Sequence, residues 1–142
     1  MQARRLPILE RWEALLRIER ANTPLANPDL LVHLFDGTLS EIFAALRSSD
    51  KPAGSPAHPA AVRTADCPCG RNPLIAYFAA GEQALLEGLV MAQVEGCTLD
   101  PVQRDLAVAD LLRALRTIAH REISAFCAVC QYHPATLASV RS

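Results

Sequence analysis

The chain has 142 residues, of which 51% are hydrophobic and 20% are charged, and its formal net charge is −1. This length favours one domain with a core large enough to fold without disulfide bonds. The sequence has no basic stripe of the kind that binds nucleic acid, and no uncharged apolar run approaches the ~20 residues that a membrane helix needs.

Proline marks the expected start of each helix. Pro7 precedes the first apolar stripe, and three later prolines follow an asparagine or aspartate, in the pairs Asn27-Pro28, Asn72-Pro73 and Asp100-Pro101. Asn and Asp are preferred N-cap residues, and proline is favoured at the first helical position. No segment shows the alternation of a half-buried strand. We therefore predict an all-α fold, a four-helix bundle with helices at about 7–21, 28–47, 73–96 and 101–132.

The third and fourth predicted helices differ in character. The third is rich in small residues, and Gly81 and Gly88 share one face, where a neighbouring helix is expected to approach closely. Its acidic residues are interpreted as a solvated or partner-facing set: Glu82, Glu87 and Glu95. The fourth helix has a long apolar stripe from Val108 to Cys130, and Glu122 is placed near the middle of it with no evident partner.

A long linker joins the second and third helices. It covers residues 48–71, and its mobile part is 48–66, which is rich in proline, alanine, glycine and serine. Such a segment is long for a connection inside a compact domain, and it could cross the length of the bundle, which leaves the handedness of packing open. We treat residues 1–142 as a single helical domain.

The cysteines suggest metal or redox chemistry. The N-terminal stretch MQARRLPILERW lacks the apolar segment of a secretory signal peptide, so we expect a cytoplasmic protein. Five cysteines in a cytoplasmic chain are more typical of metal ligands or redox thiols than of a disulfide framework.

Four of these cysteines form two pairs that are predicted to meet: Cys67 with Cys69, and Cys127 with Cys130. The short turn CTLD makes the third and fourth helices antiparallel neighbours. Counting equal lengths along both helices brings Ser124 level with Pro73, and Cys127 and Cys130 follow roughly 4–9 Å beyond that level. Both pairs therefore lie at the same end of the bundle. Cys97 lies in the turn at the opposite end and cannot join them.

A C-x-C pair on a turn and a C-x-x-C pair on a helix can together supply four thiolates to one zinc ion, with an iron–sulfur cluster as the alternative. The N-terminus of the third helix would favour the thiolate form of its neighbours, and Arg71 and Arg121 could offset the charge. Two other interpretations remain open: a thiol–disulfide switch without metal, and cysteines that are simply buried. His133 could replace one thiolate, but a position at the end of the last helix is favoured. His120 is expected to face solvent or to lie outside the ligand set.

No enzyme motif is present. The di-iron site of a four-helix bundle needs Glu-x-x-His on two helices, and the sequence contains none. The zinc-protease, phosphate-loop, dinucleotide and nucleophile-elbow motifs are absent as well. We therefore expect that the protein is not an enzyme.

The first third of the chain resembles a family of signalling domains. The resemblance is carried by Trp12 within RWEALLR, by Pro24-Leu25 and by the apolar run from Leu30 to Leu46. These features are similar to the helical N-terminal input domains of bacterial signalling regulators, including stressosome-type co-antagonists and some histidine kinases. The resemblance implies an all-helical sensory or scaffold domain, often dimeric, and it implies no metal ligand.

Together these patterns predict a regulatory or sensory binding module. It is expected to form a homodimer, to contact a signalling protein, and to hold zinc or an iron–sulfur cluster at Cys67, Cys69, Cys127 and Cys130. Two alternatives are a structural zinc protein-interaction domain and a metal-free thiol redox sensor.

Overall fold

The computed structural model describes residues 4–18, 28–48, 71–96 and 99–129. Within these ranges the chain forms four α-helices and no strand, which confirms the all-α prediction. The helices are α1 (Arg5–Ile18), α2 (Pro28–Ser48), α3 (Pro73–Val94) and α4 (Pro101–Ala128).

The predicted helix starts are confirmed where the structure describes the capping residue. The Asn72 side chain accepts a hydrogen bond from the backbone N–H of Leu74, and Pro73 follows it at the first helical position. Asp100 and Gln103 form a reciprocal capping box at the start of α4. Asn27 lies outside the described residues. The first helix begins at Arg5 rather than Pro7, because proline is tolerated within the first helical turn.

Two helix ends differ from the prediction. α3 stops at Val94 instead of 96, and Gly96 adopts a φ of 125°, a left-handed conformation that a helix cannot continue through. α4 stops at Ala128 instead of 132, and the N–H of Val129 bonds back to Phe126 in a tightened last turn. The predicted ends at residues 19–21 and 130–132 lie outside the described residues.

Arginine–carboxylate ion pairs span the contacts between neighbouring helices. They are Arg11–Glu87 between α1 and α3, Arg116–Glu82 between α4 and α3, Arg121–Glu41 between α4 and α2, and Arg5–Asp36 between α1 and α2. The same four helix pairs make the principal contacts of the structure, so each helix packs against two others.

α1 and α3 approach each other closely at two glycines, as the sequence predicts. A β-carbon added at Gly81 would lie 2.3 Å from Cζ2 of Trp12, and one added at Gly88 would lie 2.7 Å from Cγ1 of Ile8. Gly81 faces Trp12, whereas Gly88, which comes later in α3, faces Ile8, which comes earlier in α1. The two helices are therefore antiparallel.

α2 is also antiparallel to α1. Arg5, at the start of α1, pairs with Asp36 at 2.6 Å, and Arg17, near its end, pairs with Asp29 at 2.9 Å. The later residue of α1 thus meets the earlier residue of α2. α2 and α3 consequently run in the same direction. The end of α2 and the start of α3 lie at opposite ends of the helices, and residues 49–70 connect them.

An aromatic cluster fills the centre of the core. The Trp12 ring lies 5.0 Å from the ring of Phe35 and 4.9 Å from that of Tyr77, measured between centroids. The indole Nε1 of Trp12 donates to the backbone carbonyl of Tyr77 at 2.8 Å. The Tyr77 hydroxyl lies 2.9 Å from Oγ1 of Thr38 and donates to it. Burial raises the pKa of Tyr77 to about 12, although the Thr38 hydrogen bond acts in the opposite direction.

Glu122 does not lie on the apolar stripe, contrary to the prediction. Its side chain is 45% exposed and pairs with Arg121 at 2.6 Å. The residue that faces the core is Ile123, which is one position further and therefore rotated by about 100° around the helix.

The acidic residues of α3 are not simply solvated. Glu82 and Glu87 pair with arginines of neighbouring helices, as described above, and Glu95, which follows α3, pairs with Arg4. The pKa of Glu87 is lowered, chiefly by the hydrogen bond from Arg11 and further by the one from Gln83. These carboxylates hold helices together within one chain.

α3 has the length and apolar composition of a membrane-spanning helix, and it alone does so among the described residues. Core helices of soluble proteins share this composition. In this structure α3 packs against α1 and α4, and it buries Tyr77, Ala84 and Leu85.

Candidate functional site

Cys127 is the one predicted metal ligand within the described residues. It lies in the last turn of α4 and is half-buried. Three other predicted ligands lie outside the described residues: Cys67, Cys69 and Cys130. Cys97 and His133 lie outside them as well. In the part of the chain that the structure describes, no three His, Cys, Asp or Glu side chains come together to hold a metal ion.

The side chain of Asn72 connects the start of α3 to the end of α4. It is only 5% exposed. Its amide nitrogen donates to the backbone carbonyl of Ile123 at 3.2 Å and to Sγ of Cys127 at 3.3 Å, while its oxygen caps α3 through the N–H of Leu74. Both amide hydrogens and the oxygen are therefore engaged, which fixes the orientation of the side chain.

This contact confirms the predicted pairing of the third and fourth helices. Asn72 meets Ile123 and Cys127, and further along the same two helices Glu82 meets Arg116 at 3.0 Å. Residues later in α3 therefore contact residues earlier in α4, which means that the two helices are antiparallel. The last turn of α4 therefore lies beside the start of α3, whose cap residue Asn72 follows Cys69 by three positions in the sequence.

The surroundings of Cys127 act on a thiolate in opposite directions. An amide N–H that points at sulfur stabilises negative charge on it, as N–H donors do for other anions. The N-terminus of α3 adds the positive end of a helix dipole at the same place. Cys127 itself lies in the last turn of α4, where the negative end of that helix dipole disfavours a thiolate.

Arg121 pairs with two carboxylates, whereas the sequence suggested that its charge could offset thiolates. Its guanidinium pairs with Glu41 at 2.6 Å and with Glu122 at 2.6 Å. The hydrogen bond that Arg121 donates to Glu41, followed by the one to Glu122, raises the pKa of Arg121 well above its ordinary value, and Arg121 in turn lowers the pKa of Glu41. The guanidinium of Arg121 therefore forms an ion pair that links α4 to α2. Arg71 is exposed, directly before Asn72.

A groove of about 490 Å³ lies between α3 and α4, and the sequence reasoning did not predict it. Its floor is apolar and includes Ile75, Phe78 and Leu86 from α3. His120 lies at its edge and is exposed, which agrees with the expectation that this residue faces solvent. The sequence feature that could have indicated this groove is the run of small and apolar residues on the outer side of α3.

Searches against family models, curated proteins and solved structures found no match to this chain.

Proposed function

We propose that this protein is a regulatory or sensory binding module, built as a four-helix bundle, in which a four-cysteine site fastens the start of α3 to the end of α4. The ligands are Cys67, Cys69, Cys127 and Cys130. The bound group is zinc, with an iron–sulfur cluster as the alternative. The protein is not an enzyme, acts in the cytoplasm and contacts a signalling protein.

The observation that carries this proposal is the hydrogen bond from Asn72 to Sγ of Cys127 at 3.3 Å. Asn72 follows Cys69 by three residues, and Cys130 follows Cys127 by three. A trans peptide chain advances at most ~3.6 Å per residue, so Cys69 is within about 11 Å of the Asn72 backbone. The chain lengths therefore allow ligands on the two segments to reach one ion.

The donor set fits zinc or an iron–sulfur cluster. Thiolates are the ligands that both prefer, and four of them complete a closed structural site. Asn72 would donate to a ligating sulfur, the kind of outer contact that orients metal ligands and tunes their basicity. When bound, the metal supplies a cross-link between two segments that are distant in sequence.

Regulation follows from the position of this cross-link. It joins residues just before α3 to residues just after the described part of α4, so its loss would release both segments together. A partner that recognises either segment would then bind differently. Oxidation of the cysteines would have the same effect as loss of the metal.

A pair of cysteine variants tests the proposal. Cys130→Ser removes one proposed ligand, so we expect it to lower metal content and melting temperature. Cys97→Ser removes a cysteine from the α3–α4 turn at the opposite end, so we expect both quantities to stay unchanged. Equal effects of the two variants would contradict the site.

Metal analysis under oxidising conditions, together with the reactivity of each cysteine, distinguishes the alternatives. A structural zinc domain would keep its metal under oxidising conditions, whereas a sensor would release it and change its partner binding. A metal-free redox sensor would contain no metal, and one of its cysteines would react much faster than the others.

A further inference from the structure

The outer side of α3 and α4 carries a group of exposed apolar side chains, which we call the α3–α4 face. Its members recur at helical spacing on the side away from α1 and α2. They are Ala79, Leu86, Val90 and Val94 from α3, and Val102, Leu106 and Ala109 from α4. Leu86 is half-buried, and the other six are exposed, with Val94 at 75% and Leu106 at 58%. Large apolar side chains exposed side by side mark an interaction surface.

We propose that the α3–α4 face is the surface through which two copies of this chain associate. Every Asp, Glu and Arg within the two helices is already paired inside the chain, as in Glu82–Arg116 and Asp110–Arg113. The face therefore offers little unpaired charge to an anionic membrane, a nucleic acid or a strongly charged protein. The paired charges largely offset each other when a second copy approaches, and in a two-fold dimer the same surface packs against itself.

The size of the face suits a small dimer interface. Its members on α3 lie between Ala79 and Val94, a length of ~22 Å along the helix. Two adjacent helices are ~20 Å wide, since their axes are ~8–10 Å apart and each is ~10 Å across. The face thus covers ~450 Å² in flat projection, which is less than the ~800 Å² that each partner contributes to a standard interface and corresponds to a weaker association.

The experiment is sedimentation equilibrium of the full chain and of three variants. Leu106→Glu places a charge on the α3–α4 face. Leu30→Glu places the same charge on α2, where Leu30 is exposed to a similar degree, 61% against 58%. Val94→Lys repeats the test on α3 at a highly exposed position, which limits any effect on folding. Helix content is checked by circular dichroism for each variant.

We expect the unmodified chain and Leu30→Glu to sediment as dimers. Leu106→Glu and Val94→Lys are expected to weaken dimerisation roughly a hundredfold or more, because the two-fold axis places each substitution in the interface twice. A monomeric unmodified chain would overturn the proposal, as would a dimer that Leu30→Glu disrupts equally or that neither face variant weakens. Metal content is expected to be unchanged, since Val94 and Leu106 lie at the other end of the helices from Cys127.

Discussion

The indole ring of Trp12 occupies the space in which residue 81 would carry a β-carbon. The ring atoms Cζ2, Cε2 and Cη2 lie 2.3, 2.6 and 2.9 Å from that position. Trp12 is fully buried, and its Nε1 donates to the carbonyl of Tyr77 at 2.8 Å, so the ring has no freedom to move aside. The contact between α1 and α3 therefore depends on a glycine at position 81.

The first prediction concerns this contact. Gly81→Ala is expected to lower the free energy of unfolding by about 1–3 kcal/mol or more, because the added methyl group overlaps a ring that cannot shift. Chemical denaturation measures the change.

The matched control is Gly37→Ala. Gly37 lies in the interior of α2, and a β-carbon added there has no atom within 4 Å. This substitution is expected to raise the free energy of unfolding by about 0.5–1 kcal/mol, because alanine loses less backbone entropy than glycine in a helix. Destabilisation of similar size by both variants would show that Trp12 does not pack against Gly81.

The second prediction concerns Asn72. Asn72→Asp keeps an oxygen that can cap α3, but it replaces the donor to Ile123 and Cys127 with a second carboxylate oxygen. A nearly buried carboxylate beside a sulfur is unfavourable, so we expect lower stability at neutral pH and weaker retention of metal. Thermal melting and metal analysis measure the two effects.

The control for Asn72→Asp is the opposite substitution, Asp100→Asn, at the N-cap residue of α4. Asp100 caps α4 through the N–H of Gln103, and it is exposed. Asp100→Asn keeps a good cap and is expected to leave melting and metal content nearly unchanged. If Asn72→Asp were equally silent, the Asn72–Cys127 contact would have no role in the site.

The third prediction concerns pH. The pKa of Tyr77 is about 12 in the folded protein, whereas that of an unfolded tyrosine is about 10. The folded chain therefore retains a proton that the unfolded chain releases, so stability is fully present below pH ~10 and falls as the pH rises towards ~12. The loss is on the order of 2–3 kcal/mol.

Denaturation of the protein and of Tyr77→Phe across this pH range tests that prediction. Phenylalanine loses the hydrogen bond to Thr38, which costs about 1 kcal/mol at neutral pH, but it carries no ionisable group. The stability advantage of the unmodified protein over Tyr77→Phe should shrink above pH ~10 and reverse in sign towards pH ~12. A difference that is constant with pH would mean that Tyr77 ionises as readily in the folded state as in the unfolded one.

The parts of the fold that the sequence predicted are those set by local chemistry. Asn72 and Asp100 stand directly before proline, and cap and proline together define a helix start wherever they occur. Gly81 and Gly88 reveal a close approach because glycine has no side chain to prevent one. The position of Cys127 along α4, beside the start of α3, follows from the constant rise per helical residue and from the short turn between the two helices.

The parts that were missed depend on how the helices are rotated and tilted against each other. One position separates the exposed Glu122 from the buried Ile123, and an apolar stripe does not resolve this difference. The pairing of Arg121 with Glu41 joins residues 80 positions apart, and long side chains reach such partners only at particular crossing angles. The groove between α3 and α4 is likewise a property of packing.

Elemental analysis of the protein, purified without air and without a histidine tag, tests the four-cysteine site most directly. The proposal predicts about one zinc per chain or, for the alternative group, iron with matching sulfide. A protein that contains neither, yet is folded and fully reduced, would contradict the site and leave the cysteines as redox thiols or buried side chains.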